Sequence, residues 1–166
     1  MTDLRDYQGG KRPYHTIIPA LVMRHDDLFM SYGVMGMYMQ PQGHIQVLLN
    51  VLRGYNVQAA LDAPRFYIDA EPIAYMGSMT SKVFIEEGIS PEVVDELRSQ
   101  LPFLPTPVGS TNLSVGMGHH VEYSTGILRS QFGRGQIIQK RPDPNGRLIW
   151  AAGSDPRADG HAVPQI

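Results

Sequence analysis

Residues 16–34 read TIIPALVMRHDDLFMSYGV, and residues 41–53 read PQGHIQVLLNVLR. The first stretch holds two runs rich in apolar residues on either side of the polar triplet His25-Asp26-Asp27. It predicts a strand over 16–23, edge-like or bulged at Pro19, a tight turn, and a second strand over 28–34: a hairpin. The second stretch is helical. Pro41 suits a first helical turn, Ile45, Leu48, Leu49 and Leu52 recur at helical spacing, and Gly54 stops the run. A hairpin followed by an amphipathic helix already favours a sheet with a helix laid on it.

The neighbouring segments extend that reading. Asn56 is placed to cap a short helix over 57–62, which Ala63-Pro64 ends. Short strands are expected at 66–68 and 82–85, around a loop with three Met or Tyr residues. Ser90 caps a third helix with Pro91 in its first position and acidic residues early in it, its apolar face being Val93, Val94 and Leu97. Pro102, Pro105 and Pro107 forbid helix. Residues 109–125, rich in Gly, Ser and Thr and containing His119-His120, read as a loop. Strands at 136–139 and 147–152 are joined by the turn Pro144-Asn145-Gly146. Residues 1–10 read as a flexible arm ending in the Gly9-Gly10 hinge, with one domain over 11–166. Strands, then helices, then strands give the α+β class, a layered domain with a mainly antiparallel sheet.

Composition agrees. The chain has 166 residues, 42% of them hydrophobic, which is enough for one domain with its own core. Its 17 glycines and 13 prolines favour short elements over a helical bundle. Fourteen basic and 16 acidic residues leave no basic excess, so nucleic acid is not an expected partner. Cysteine is absent, which excludes disulfides, a thiol nucleophile and cysteine-based metal centres. No run approaches the roughly 20 apolar residues that span a bilayer, and the first residues are polar. No membrane partner and a cytoplasmic location are therefore expected.

Several chemical motifs fail on inspection. H-E-x-x-H is absent. His120-Val121-Glu122 resembles half of a zinc-deaminase signature whose cysteines are missing, so no metal is expected. Gly133-Arg134-Gly135 is too short for a dinucleotide fingerprint and precedes a strand instead of following one. G-x-S-x-G is absent. Asp155 and Asp159 beside Arg157 read as a capped turn held by an Arg–Asp pair, with carboxylate acid/base chemistry the alternative. Met35, Met37, Tyr38 and Met39 follow a Gly-rich stretch. They read either as adaptable core packing or as an apolar pocket wall beside backbone donors.

Four strings carry more than composition. They are Arg12-Pro13-Tyr14-His15-Thr16-Ile17-Ile18-Pro19, Met39-Gln40-Pro41-Gln42-Gly43-His44, Ala63-Pro64-Arg65-Phe66 and Gly153-Ser154-Asp155-Pro156-Arg157. In that order and spacing the chain resembles the C-terminal part of the small subunit of the gamma-glutamyltransferase (gamma-glutamyltranspeptidase) family, from about residue 11 to 160. The resemblance implies a partial N-terminal-nucleophile fold, an αββα-like layered sandwich, and no cofactor. In that family a precursor cleaves itself, and the new N-terminal Thr attacks the gamma-glutamyl amide with its own α-amine as base.

The carry-over is partial. The family's nucleophilic Thr lies many tens of residues before the Arg-Pro motif, whereas eleven residues precede Arg12. The large subunit with its carboxylate-binding Arg is likewise not matched. Removal of Met1 would leave Thr2 with a free amine, but on the polar arm and away from the family's strand context. His15 and Thr16 stand where one branch of the family has two substrate-contacting serines. Gly36 and Met37 stand at the family's Gly-Gly oxyanion pair. Met37 keeps a backbone N–H there, although a left-handed conformation would strain it.

Three functions are open on this reading: an inactive remnant, a small subunit needing a separate large chain, and a standalone protein repurposed for another substrate. The intact scaffold strings and the bulky apolar changes at the site favour the third, with a hydrophobic small molecule as substrate or ligand. The expected catalytic residues are His15 as acid/base, Thr16 as a hydroxyl contact, and Gly36 and Met37 as backbone donors to an oxyanion or enolate. Tyr14, Met35 and Tyr38 are the expected substrate-binding wall. An apolar face left uncovered by the shortened chain makes a twofold homodimer the expected assembly, with a separate large-subunit-like chain the alternative partner.

Overall fold

The computed structural model describes residues 9–69, 81–100 and 119–164. The elements are β1 (Ala20–Arg24), β2 (Asp27–Met35), α1 (Met39–Leu52), α2 (Val57–Asp62), β3 (Phe66–Asp69), β4 (Ser81–Glu86), α3 (Pro91–Gln100), β5 (His119–Ser124), a 3-10 turn (Gly126–Phe132), β6 (Arg134–Pro142) and β7 (Leu148–Ser154). They form a four-stranded antiparallel sheet, ordered β1-β2-β6-β7, and a three-stranded sheet, ordered β3-β4-β5. In the second sheet β4 and β5 run parallel, with α3 between them in the chain. This is the expected layered α+β architecture, mainly antiparallel.

The first hairpin forms with altered limits. The strand expected over 16–23 begins at Ala20, immediately after Pro19, which has no N–H to give a ladder. Its irregularity falls between Val22 and Met23 and not at the proline. His25 takes the left-handed conformation that so short a turn demands, at φ 55. Along β2, Met30, Tyr32 and Val34 are buried in alternation, and with Ile137 of β6 they form the sheet side of the main core.

Helix α1 starts two residues before Pro41, and its buried face is not the expected one. Met39, Gly43, His44, Val47 and Val51 are buried; of the expected face only Leu48 packs against the core, whereas Ile45, Leu49 and Leu52 are exposed. Gly43 explains the rotation. A Cβ there would stand 2.7 Å from Cγ1 of Val34, so only glycine lets the helix backbone come this close to β2. The Gly43–Val47–Val51 line, at i, i+4 and i+8, is thereby turned onto the sheet.

Side-chain amides fasten the helices to strand edges. Gln42 accepts from Ile68 N–H and donates to Ile68 O, both at 2.9 Å. Gln46 does the same at Phe66, again at 2.9 Å in both directions. Two positions one helical turn apart thus match two positions on one edge of β3, because ~6 Å of helix rise is close to the rise of two strand residues. Gln58 of α2 makes the equivalent pair with Ser154 on the outer edge of β7, at 2.9 and 3.1 Å.

Other expectations hold locally. Asn56 caps α2 by accepting from Ala59 N–H at 2.8 Å, and Ser90 Oγ accepts from Val93 N–H at 3.4 Å. Val94 and Leu97 pack in the smaller core with Val83, Ile85 and Val121, whereas Val93 is largely exposed. The turn at Pro144-Asn145-Gly146 is organised by Asp143, which accepts from Asn145 and Arg147 N–H at 2.8 Å each. The reading of 109–125 as loop is corrected at its end: His119–Ser124 is strand β5, whose partner β4 is brought in by tertiary contact and not by any local pattern. Residues 1–8, the Met- and Tyr-containing loop over 70–80, the proline segment and 109–118 lie outside the described residues.

Gly43→Ala tests the helix position. Alanine favours a helix interior by up to about 1 kcal/mol over glycine, but Val34 is stiff and buried and cannot yield cheaply. A net loss of about 1–2 kcal/mol is expected in urea unfolding; a stability gain would show that α1 is free to move away from β2.

Candidate active site and the buried ionic lattice

Gly36 and Met37, expected from the sequence as backbone donors, lie in the turn after β2. Gly36 lies at φ 151 and Met37 at φ 53, so Met37 does adopt the left-handed conformation that strains a non-glycine residue. The turn's backbone bonds, Met39 N–H to Gly36 O at 2.9 Å and Gln40 N–H to Met37 O at 3.1 Å, use the carbonyls of Gly36 and Met37. Their N–H groups take no part in these two bonds. A Cβ on Gly36 would fall 3.0 Å from the Cα of Gly133, so the turn is seated on the glycine before β6. Gly133, at φ 76, admits no Cβ either, since one would meet Met35 O at 2.6 Å. The Gly133-Arg134-Gly135 string is thus a packing device for this turn.

Met37 is 79% exposed, and Met35 and Tyr38 are also largely exposed. These side chains are at the surface and not in the core, whereas Met39 is fully buried and does pack as core. Tyr38 approaches β3. Tyr67, stacked on Phe84 at 5.9 Å between ring centroids, has its phenol pushed up to about 12 by burial first, then by Asp69 and Tyr38. Tyr14, His15 and Thr16 lie exposed in the segment before β1. Of the expected site residues, only Met35 lines the groove of about 290 Å³ that the 17–19 segment forms against β2 and α1.

A second constellation lies beneath. Arg65, Glu86 and Asp155 are buried at 1% exposure or less. Asp155 receives Arg65 Nη2 at 2.6 Å, Arg157 Nη1 at 3.0 Å and Gly135 N–H at 2.7 Å. Glu86 receives Arg157 Nε at 2.7 Å and Nη2 at 2.5 Å, Arg129 Nε at 2.9 Å and Arg65 N–H at 2.8 Å. Arg65 also donates to Phe132 O at 2.9 Å and Leu61 O at 3.1 Å. The Arg157–Asp155 pairing expected from the sequence is present, but it is part of a lattice of three arginines and two carboxylates. Arg65 stands in one of the four family strings, but nothing local marks Glu86, or the pairing of Arg65 with groups 21 and 90 positions away, as part of one cluster.

Burial alone would raise the Asp155 carboxyl. The guanidinium of Arg65, the Arg157 N–H and guanidinium, and Gly135 N–H outweigh it and hold the group below the ordinary carboxylate range. Arg157 is held above its ordinary value because Glu86 and Asp155 outweigh its desolvation. The lattice is densely hydrogen-bonded, with Arg65 Nε its one buried atom without a partner among the described residues, an arrangement for holding elements together. No group of three or more His, Asp or Glu placed to hold a metal occurs among the described residues. No described helix is long and apolar enough to cross a membrane.

Comparison with known proteins agrees with this architecture. The gamma-glutamyltranspeptidase family profile matches residues 4–165. The oxamate amidohydrolase proenzyme of Klebsiella pneumoniae is 27% identical over 155 residues, covering 93% of this chain and 24% of that protein. The solved cephalosporin acylase from Bacillus halodurans superposes with a TM-score of 0.62 at 34% identity, over 93% of this chain and 23% of that one. A Helicobacter pylori gamma-glutamyltranspeptidase variant superposes with a TM-score of 0.60 at 22% identity, over 95% and 69% of the two chains. The fold is that of these N-terminal-nucleophile proteins, and the chain spans about a quarter of the curated relative it matches.

We predict that Asp155→Asn lowers the unfolding free energy at neutral pH by about 3–5 kcal/mol, since it strands buried arginine charge. The Asp155 pKa is depressed in the folded state. Its stabilisation is therefore present above the unfolded value of about 3.9 and is lost as pH falls through the folded value. Urea titrations should show the difference between wild type and variant shrinking in that acid range. A difference that is constant with pH would refute the role given to the carboxylate.

Proposed function

Because the chain belongs to the gamma-glutamyltranspeptidase family, we propose that it uses the family's acyl site in altered form, binding or transforming a hydrophobic small molecule at the Gly36–Met37 turn. The observation that carries this reading is Met37 itself, an exposed thioether held at φ 53 where the family resemblance places glycine. A strained, solvent-facing methionine gives the fold nothing that glycine would not. Its side chain, with those of Met35 and Tyr38, offers apolar surface where a glutamyl group would need polar contacts.

In this proposal the Gly36 and Met37 N–H groups stabilise negative charge developing on a substrate oxygen. His15 moves the proton, Thr16 supplies a hydroxyl contact, and Tyr14, Met35 and Tyr38 form the wall. The nucleophilic Thr and large subunit of the family are not required, and no cofactor is involved. The protein acts in the cytoplasm, in keeping with its lack of cysteine, and has no nucleic-acid or membrane partner.

The second reading, a small subunit completed by a separate large-subunit-like chain, draws on one specific feature. The face of the four-stranded sheet away from α1 and α2 carries Leu21, Ile138 and Trp150, all more than half exposed. Leu21, Ser31, Ile138 and Ala152 stand opposite one another in a single row across the sheet. Such a face needs a cover. We propose a second copy about a twofold axis, with the large chain as the competing occupant.

Two measurements separate these readings. Met37→Gly should shift ligand affinity or turnover severalfold while the melting temperature moves little, because the side chain is not core; a loss of several kcal/mol, as for core truncation, would overturn the wall assignment. Release of p-nitroaniline from gamma-glutamyl-p-nitroanilide by the chain alone would refute repurposing.

Sedimentation at micromolar concentration should show a dimer near twice 18.5 kDa. A monodisperse monomer that dimerises only with an added large chain would favour the second reading.

A further inference from the structure

We propose that the groove beside His44 is a binding site for a small organic acid that has an apolar body and one hydroxyl or N–H donor. His44 is 8% exposed and its Nε2 has no hydrogen-bond partner among the described residues. The other ring nitrogen, Nδ1, lies 2.6 Å from Gln40 O. A carbonyl oxygen only accepts, so Nδ1 carries a proton, and in the tautomer with that single ring proton Nε2 is an acceptor. The ring is held by a tilted contact with Tyr32 at 5.2 Å, and Tyr32 hydroxyl donates to His44 O at 3.2 Å. A fixed, buried acceptor left unpaired costs about 1–3 kcal/mol.

His44 lines the groove of about 290 Å³, whose other walls include Ile17, Ile18, Pro19 and Val34. That volume suits a small ligand, being at the lower end of ligand pockets. Gly33 flanks the acceptor, with its Cβ position in van der Waals range of Nε2. A Cβ there would stand 3.9 Å from both His44 Nε2 and Pro19 Cα, and its φ lies outside the left-handed region. The exposed Arg134 also lines the groove and supplies a guanidinium suited to a carboxylate. An acceptor within apolar walls and a cation at the surface together select the ligand: the donor goes to Nε2, the apolar body to Ile17–Pro19, and the carboxylate to Arg134. Neither His15, Thr16, Gly36 nor Met37 lines this groove. Met35, which the proposed function places in its wall, does line the groove, but recognition of the acid rests on His44, Gly33 and Arg134 and so goes beyond that proposal.

The test compares 3-(4-hydroxyphenyl)propionate with 3-phenylpropionate, which lacks the donor, in calorimetry and in ¹⁵N spectra of the His44 imidazole. The hydroxylated acid should bind about tenfold more tightly, the worth of one hydrogen bond to a buried acceptor, and should move the Nε2 resonance. His44→Phe should abolish that preference while retaining the weaker binding of 3-phenylpropionate. Arg134→Met should weaken both acids. Gly33→Val should block both, and its folding is checked by an unchanged melting temperature; Gly33→Ala serves if the valine variant is unstable, with a smaller loss. Absence of saturable binding at millimolar concentrations would overturn the site. So would equal affinity of the two acids, or an Nε2 resonance unmoved by either, which would mean that the acceptor is satisfied by water. The readout is binding without turnover, so failure of the reading given for the Gly36–Met37 turn leaves it unaffected.

Discussion

Everything in this fold hangs on the carboxylates of Glu86 and Asp155 lying between the guanidinium groups of Arg65, Arg129 and Arg157. Arg65 precedes β3, Glu86 ends β4, Asp155 and Arg157 follow β7, and Arg129 lies in the 3-10 turn. The lattice thus fastens the ends of strands from both sheets to each other. Desolvating five charged groups is expensive, and such a cluster adds little over a well-packed apolar one. What it does supply is direction: each oxygen accepts from a particular N–H, so the elements meet in one arrangement. Removing Asp155 or Arg157 leaves buried partners short of their counter-charge, and that asymmetry makes the set hard to alter piecemeal.

The glutamine clamps act on the same problem from the outside. A small sheet has edges, and an edge with unpaired N–H and C=O groups invites association. Gln42 and Gln46 answer β3 with paired amides, and Gln58 answers β7. Because the amides come from helices, each clamp also fixes how its helix lies. Together with the close approach at Gly43, this turns Ile45, Leu49 and Leu52 outward. The apolar surface of α1 is thus a consequence of how the helix is tied down, and the burden of covering it passes to whatever the chain meets.

This explains which parts of the molecule were legible in its sequence. The hairpin turn at His25-Asp26, the Asn56 cap and the Pro144-Asn145-Gly146 turn are local chemistry, and each formed where expected. The helix 41–53 was visible, but not its rotation: a hydrophobic tally favours Ile45, Leu49 and Leu52, whereas the close packing depends on the residue with no side chain, Gly43. β5 was hidden because its pairing with β4 is parallel and brought about by tertiary structure, and His119-His120 carry no strand pattern. Two of the four strings that carried the family resemblance, those holding Arg65 and Asp155–Arg157, turn out to encode the ionic lattice. Their resemblance is therefore informative about fold and silent about substrate.

That division also bears on the site. The lattice and the Gly36–Gly133 contact hold the turn after β2 in place whether or not the next residue is glycine. The seat depends on Gly36, where a Cβ would crowd the Gly133 backbone at 3.0 Å. Position 37 projects into solvent and is bound only by its φ, a penalty on the order of 1 kcal/mol for a non-glycine residue. The fold can bear that much strain while its scaffold is intact. A side chain can therefore be introduced at the mouth of the site without disturbing the backbone donors behind it. On the proposal made for this turn, its donor geometry is kept by Gly36, Gly133 and the ionic lattice, so position 37 is free to change.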